Sequence, residues 1–327
     1  MEVLYYNQKE SEDIDNLREL TDEDISITVI PPDEKEKAVE SAEEFDAVIG
    51  ARIPRKFLEK ASNLEFFIIP FAGIPVQDKD NLSDFPDLKV INSHFNKKYV
   101  SELAWALLLA STKKLCPIHN KMKKGDWTPR YEHEWGLGLE GNELLILGYG
   151  EIGKRIAKVG KAFDMEVKAV KKTPGEDDTV DRLGTNEDLH DLLPKADFII
   201  VTLPLTDETE GYLGKDEFDL MKDGVHIVNV GRGPVIDEEA FYKALESGKV
   251  AGAGIDTWWI YPPDEESRSD TLPSNYPIHE FDNVVFSPHR GSHVKDREDK
   301  RMKDLANILN SLNKSEIVNL VDVEEGY

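Results

Sequence analysis

The sequence predicts an α/β fold assembled from two series of βαβ units. Three observations carry that expectation. Short apolar runs alternate with charged, helix-forming stretches along most of the chain. One of those runs leads straight into the spaced glycines Gly148, Gly150 and Gly153. And 327 residues are too many for one ordinary small domain but suit two of typical size.

In the first third, EVLYY, ISITVI, FDAVIG, LEFFIIPFAG and LKVIN each read as a strand buried on both faces. Continuous apolar runs mark parallel sheets, because crossover helices cover both sides. Between them, EKEKAVESAEEF and PRKFLEKAS have helix-forming interiors with Pro or an acid near their starts. From Val100 onward, SELAWALLLASTKKLCPIHNKMKKG predicts one long helix whose first half is almost wholly apolar. A helix apolar all round is buried, here between domains or between subunits. A polar stretch with Trp127, Tyr131 and Trp135 follows. The second series then begins with NELLILGYG, MEVKAV, ADFIIVTLP, GVHIVNV, VAGAGID and NVVFSP, each set off by a helix or turn. The tail, DREDKRMKDLANILNSLNKSE, predicts an amphipathic helix with Met302, Leu305, Ile308 and Leu309 on its apolar stripe.

Composition narrows the partners. A formal charge of −25 repels phosphate backbones and anionic lipids, so neither nucleic acid nor membrane is an expected partner. The single cysteine, Cys116, allows no disulfide within the chain, which fits a reducing cytoplasm. MEVLYYNQKESED lacks the basic and apolar regions of a signal peptide. A soluble cytoplasmic protein is expected.

LLILGYGEIGKRIAKVGKAF is the most specific signal. Its G-x-G-x-x-G follows an apolar strand and opens a helix, the context in which the motif binds dinucleotides. Gly148 permits a tight turn, Gly150 lets a pyrophosphate approach the backbone, and Gly153 lets the helix pack close to the strand. The helix start, with Tyr149, Glu151 and Ile152 around it, offers N–H groups and partial positive charge to phosphates. A carboxylate about 20 residues on would bind the ribose 2′-hydroxyl of NAD. MEVKAV instead runs into Lys171, Lys172 and Thr173. Two ammonium groups and a hydroxyl suit the 2′-phosphate of NADP, although a pair of solvated lysines would look the same. NADP is therefore the preferred cofactor and NAD the alternative. No metal site is expected.

The motifs in order are "FAGIP", "YVSELAWALLLA", "LILGYGEIG", "VTLPLTDETEGYLG", "IVNVGRGPVIDEEAFYKAL", "GAGIDTWW" and "SPHRGS". Along nearly its whole length the chain resembles the D-isomer-specific 2-hydroxyacid dehydrogenase family. The resemblance implies a flavodoxin-like substrate domain, residues 1–97 with 292–327, and a Rossmann-like dinucleotide-binding domain, residues 98–291. It places the active site in the cleft between them and implies a homodimer joined through the cofactor domains. The implied reaction is hydride transfer between the nicotinamide and a small 2-keto or 2-hydroxy acid.

By the same resemblance, Arg232 clamps the substrate carboxylate, a task its planar fork suits. His289 is the general acid for reduction and base for oxidation. Ala72 and Gly73 offer backbone N–H groups to the carboxylate, and Asp256 contacts the nicotinamide amide. Leu203 and Pro204 lie under the cofactor ribose, with Val230, Gly231 and Gly291 on neighbouring cofactor loops. His94, at the presumed hinge, is either a helix-entry residue or a second imidazole near substrate.

GAGIDTWWIYPPDEE departs from the family pattern. Members place a glutamate five residues after the aspartate matching Asp256, where it raises the pKa of the catalytic histidine. Here that position is Tyr261. Asp264, Glu265 or Glu266 could fold back as substitutes, and Trp258 and Trp259 either line the site or pack in the core or a dimer contact. The departure admits two other readings. One is a formate-dehydrogenase-like or otherwise divergent hydride transferase. The other is a nucleotide-sensing binding protein like the family's C-terminal-binding co-repressors.

Overall fold

The computed structural model describes residues 1–6, 8, 10–31, 33–132 and 136–323; Trp135 lies outside them. Each apolar run quoted above contains a strand. The chain divides into two compact units, Met1–Asn96 with His293–Tyr327, and Lys97–Ser292.

The first unit is a five-stranded parallel sheet of β1 (Glu2–Tyr6), β2 (Ser26–Ile30), β3 (Ala47–Ile49), β4 (Phe66–Ile69) and β5 (Lys89–Asn92). Their order is β2-β1-β3-β4-β5, a flavodoxin-like arrangement. Val3 sits opposite Ile27 on one side and Ala47 on the other. Alternate residues of each strand feed opposite cores. Val3, Tyr5, Ile49 and Ile68 pack with Met302, Leu305, Ile308 and Leu309 of the helix Arg297–Asn313. Leu4, Tyr6, Val48 and Phe67 pack with Phe57 and Leu58 of the helix Arg55–Lys60.

The second unit is a seven-stranded parallel sheet. Its strands are β6 (Glu143–Leu147), β7 (Glu166–Val170), β8 (Arg182–Gly184), β9 (Phe198–Val201), β10 (Val225–Asn229), β11 (Val250–Ile255) and β12 (Val284–Phe286). The order is β12-β11-β10-β9-β6-β7-β8. The winding therefore reverses at β6, which has β7 on one side and β9 on the other. In open parallel sheets the ligand crevice lies outside the carboxyl ends of the strands at such a reversal.

One expectation fails here. The helix foreseen across residues 101–125 is two helices, Lys97–Thr112 and Leu115–Met122. Lys114 breaks them apart with a left-handed φ of 51°. Pro117 explains the break, because in a continuous helix its ring would clash with the carbonyl four residues back. In the first turn after the break, its missing N–H costs nothing.

The apolar face of Lys97–Thr112 lies on its own unit's sheet. The small residues of β11 make that approach possible: a Cβ on Gly254 would sit 2.6 Å from Leu107 Cβ, and one on Gly252 2.5 Å from Ser111 Oγ. Among the described residues, no helix is long and apolar enough to cross a membrane.

Candidate active site

The second unit gathers most of the expected residues on loops at the carboxyl ends of its strands. After β6, Gly148 turns with φ of 97°, a conformation that glycine adopts freely. A Cβ on Gly153 would lie 2.2 Å from the Gly148 carbonyl oxygen, so the helix Glu151–Ala162 meets the strand as closely as the motif requires. A Cβ on Gly150, in contrast, would meet nothing within 4 Å. That open space lies over the first turn of the helix, where no side chain caps the backbone N–H groups. Unpartnered N–H groups beside a vacant approach suit a pyrophosphate, and the loop passes this test of fit.

The neighbours of the motif divide by direction. Tyr149 is turned into the core, 5% exposed, and packs among Leu144, Ile146 and Ile156. Burial, then the Asp177 carboxylate, push its hydroxyl up to about 12. Any contribution from Tyr149 to a ligand must come from its backbone. Ile152 is partly buried against the same cluster. Glu151 pairs with Lys97 and stands 4.0 Å from Lys154, so cations offset its charge at the helix start.

Beyond β7, Lys172 and Thr173 are exposed and Lys171 is half-buried. The Lys172 ammonium lies 3.0 Å from the Glu208 carboxylate, while Lys171 folds over Gly175. Both lysines thus lie at the expected strand end.

The β9 and β10 loops interlock with the glycine turn. Thr202 Oγ1 donates to the Gly148 carbonyl at 2.6 Å. Gly231 is so close to Leu203, just before Pro204, that a Cβ would lie 2.4 Å from the Leu203 oxygen. Val230 is buried beside it. Asn229, at the end of β10 and wholly buried, ties this turn: its Nδ2 donates to the Arg232 carbonyl at 2.9 Å and its Oδ1 accepts from Gly231 N–H at 3.0 Å. Sequence reasoning passed over Asn229, although an amide ending an apolar strand signals a backbone tie. The Arg232 Nη1 donates to the Gly231 carbonyl at 2.8 Å. Among the described residues, that is the guanidinium's one hydrogen bond, and no carboxylate pairs with the rest of the fork. Burial pushes the guanidinium pKa down from its usual value, opposed by Tyr261.

On the β11 and β12 loops, the Tyr261 hydroxyl lies 3.0 Å from His289 Nδ1. The same oxygen accepts from the Trp258 backbone N–H at 3.2 Å. Burial pushes the Tyr261 phenol up, with the Trp258 N–H and the Arg232 charge pulling the other way. His289 itself is exposed and has a left-handed φ of 56°. Among the carboxylates considered as substitutes, Asp264 accepts from Ser267, Glu265 pairs with Arg268, and Glu266 begins a short 3₁₀ turn.

The tryptophans frame these loops. Trp258 is 5% exposed, stacks on Phe286 with centroids 5.0 Å apart, and donates its indole N–H to the Ser287 carbonyl at 2.8 Å. Trp259 donates likewise to Ile236 and packs near Phe241. Of the two alternatives for these aromatics, packing within the unit accounts for both. Asp256, 2% exposed, accepts from Ser287 Oγ at 2.5 Å, from Arg290 N–H at 2.7 Å and from Gly291 N–H at 3.0 Å.

In the first unit, Ala72 and Gly73 follow β4, with Gly73 at φ of 82°. His94 follows β5 and is half-buried.

A reversal in a parallel sheet, a glycine turn open over an uncapped helix, and adjacent loops carrying arginine and histidine define a dinucleotide-binding α/β protein. Residues 105–291 match the family model described as D-isomer specific 2-hydroxyacid dehydrogenase, NAD binding domain. The chain belongs to this family, and its second unit contains an NAD(P)-binding domain.

A hydroxypyruvate reductase from Thermotoga maritima is 33% identical, over 79% of this chain and 82% of that protein. A D-3-phosphoglycerate dehydrogenase from Archaeoglobus fulgidus is 30% identical over 99% of this chain, yet this chain spans only 60% of its length. In fold, the chain is similar to a solved D-isomer specific 2-hydroxyacid dehydrogenase from Xanthobacter autotrophicus Py2 in complex with NADPH and MES. That likeness has a TM-score of 0.80 and 21% identity, and covers 100% of this chain and 99% of that one.

Proposed function

We propose that the chain is an NAD(P)-dependent reductase of small 2-keto acids, running in reverse as a 2-hydroxyacid dehydrogenase, with NADP(H) preferred. The observation that carries this reading is the placement of Arg232, Tyr261 and His289 on loops after β10, β11 and β12, with Tyr261 at 3.0 Å from His289 Nδ1.

When bound, the nicotinamide supplies or accepts the hydride. Gly148, Gly150 and Gly153 hold the pyrophosphate with the N–H groups of the helix start. Leu203, Pro204, Val230 and Gly231 form the neighbouring wall. Arg232 binds the substrate carboxylate through the part of its fork not committed to Gly231.

His289 protonates the keto oxygen from Nε2 during reduction and removes that proton in the reverse direction. Tyr261 stands where family relatives carry a glutamate, and a phenol can serve both states of the ring. Its oxygen accepts from Nδ1–H when the imidazole is charged or is ready to act as a base. Its O–H donates to Nδ1 when the proton sits on Nε2. A carboxylate would add a charge favouring the imidazolium, which the neutral phenol does not.

NADP preference rests on the missing carboxylate after β7 and on Lys171 and Lys172. The exposed Lys172–Glu208 pair is of a kind worth little in water, so a 2′-phosphate can take Glu208's place. A homodimer joined through the cofactor domains is supported by large apolar side chains exposed on one segment: Leu115 (58%), Trp127 (61%), Tyr131 (75%) and Leu137 (43%). A cytoplasmic location fits the lone cysteine.

Turnover of glyoxylate, pyruvate and hydroxypyruvate by purified protein tests the reading. Reduction with NADPH is expected; binding of cofactor without turnover of any 2-keto acid would instead indicate a nucleotide-sensing protein. NADPH should bind about tenfold more tightly than NADH, the margin one charge-assisted contact supplies. Fluorescence titration of both cofactors, repeated with Lys171→Asp, checks this. An unchanged ratio in the variant overturns the NADP assignment.

A further inference from the structure

Both oxygens of Asp256 are committed to the segment that carries His289. Oδ1 takes the Ser287 hydroxyl at 2.5 Å and the Arg290 N–H at 2.7 Å, and Oδ2 takes the Gly291 N–H at 3.0 Å. These donors flank His289 two residues before and one and two residues after it. His289 lies between them with φ of 56°, a left-handed backbone that costs a residue other than glycine energy unless its surroundings enforce it. Asp256 N–H is itself anchored, donating to the Asn229 carbonyl at 3.0 Å. Trp258 completes the clamp through Ser287, whose carbonyl accepts its indole N–H at 2.8 Å.

We propose that Asp256 is a positioning residue: with Ser287 it locks the His289 loop in its left-handed turn and so aims the imidazole. This inference rests on the reading of His289 as the proton donor, and it replaces the expected contact between Asp256 and the nicotinamide amide as the main work of this carboxylate. A buried carboxylate with three donors is held in one orientation, and it holds the backbone on both sides of the histidine. Together with the Tyr261 contact at Nδ1, this gives an exposed imidazole a defined backbone to stand on. Ser287, which opens the SPHRGS motif but has no role there of its own, becomes the residue through which Trp258 and Asp256 act on the same turn.

Asp256→Asn and Ser287→Ala in the full chain test the proposal with three measurements. The amide side chain cannot accept from Gly291 N–H with its nitrogen, so exchange of the Arg290 and Gly291 amides with deuterated water should accelerate in Asp256→Asn while the amides of β10 and β11 keep their protection. The kcat for keto-acid reduction should fall by about tenfold or more in Asp256→Asn and by less in Ser287→Ala. NADPH affinity should stay within about twofold of the original. Loss of NADPH affinity with unchanged exchange at residues 290 and 291 would make Asp256 a cofactor contact and overturn the proposal. An unchanged kcat with unchanged exchange overturns it as well. If the original protein reduces no 2-keto acid, the reading of function fails, and the exchange measurement still decides the lock. Should Asp256→Asn not fold, Ser287→Ala removes a single donor and carries the test through the exchange of residues 290 and 291.

Discussion

Strand β10 carries His226 near its start and leads into Arg232 just past its end, and the two ends treat polar groups in opposite ways. At the amino edge, His226 is 5% exposed, with Nδ1 2.9 Å from Ser111 Oγ and Gly252 opposite leaving no room for a side chain. Burial, then the Lys114 charge, push its imidazole down to about 4. At the carboxyl edge, Arg232 has most of its fork uncommitted and His289 stands exposed on a strained turn. One edge uses a histidine as a neutral piece of packing. The other sets an arginine with one fork nitrogen tied to Gly231 near a histidine that is exposed on its turn. The depressed pKa of His226 therefore marks packing rather than chemistry.

Arg232→Ala is expected to have the largest effect and would break this contrast if it did not. Keto-acid kcat/KM should drop by at least about a hundredfold, the scale on which a desolvated charge pair acts, while NADPH affinity holds. A steady-state assay and a cofactor titration decide it. Retention of most activity would mean that the carboxyl edge does not bind the substrate.

The next effect belongs to the amino edge and concerns stability rather than catalysis. The unfolded chain takes up a proton at His226 near pH 6.5, whereas the folded one waits until about pH 4. The folded pKa is depressed, so its contribution is fully present above about pH 6.5 and is lost as pH falls through that window, to a total of about 3 kcal/mol. His226→Gln should remove this part of the acid sensitivity. Urea unfolding of both proteins near neutrality and near pH 4.5 measures it, and parallel losses in the two would show that His226 is not the group responsible.

Tyr261→Glu sharpens the contrast most gently. Reduction needs a protonated donor, so the rate declines as pH rises through the donor's titration. A carboxylate at Nδ1 favours the charged ring and should move that falling limb of kcat/KM up by roughly one pH unit. A limb that stays put would show that another group already charges His289.

Most strands were legible because they are buried on both faces, which makes a run such as FIIV unmistakable. Strand β8 was not, since Arg182–Gly184 is a three-residue edge strand with only one large apolar residue. The break at Lys114 was written in Pro117 but hidden by the apolar run ahead of it. At the site, glycine spacing announced the cofactor loop because Gly148 and Gly153 answer steric demands and Gly150 leaves its approach open. Asn229 and Ser287 escaped notice because their work is hydrogen bonding to loops that are distant in sequence or visible only once the turn is folded. Asp256 was marked as important, yet its partners at positions 287, 290 and 291 depend on the adjacency of β11 and β12, which no local pattern states.

The left-handed turn at His289 also bears on how the protein ages under heat. Backbone strain of this kind amounts to roughly 1–3 kcal/mol, and here it is opposed by a few hydrogen bonds rather than by the whole sheet. Local openings need far less energy than global unfolding. Warming should thus loosen this turn while the seven strands remain intact. On the proposed reading, keto-acid reduction is then expected to fall on warming before the circular dichroism of the strands changes.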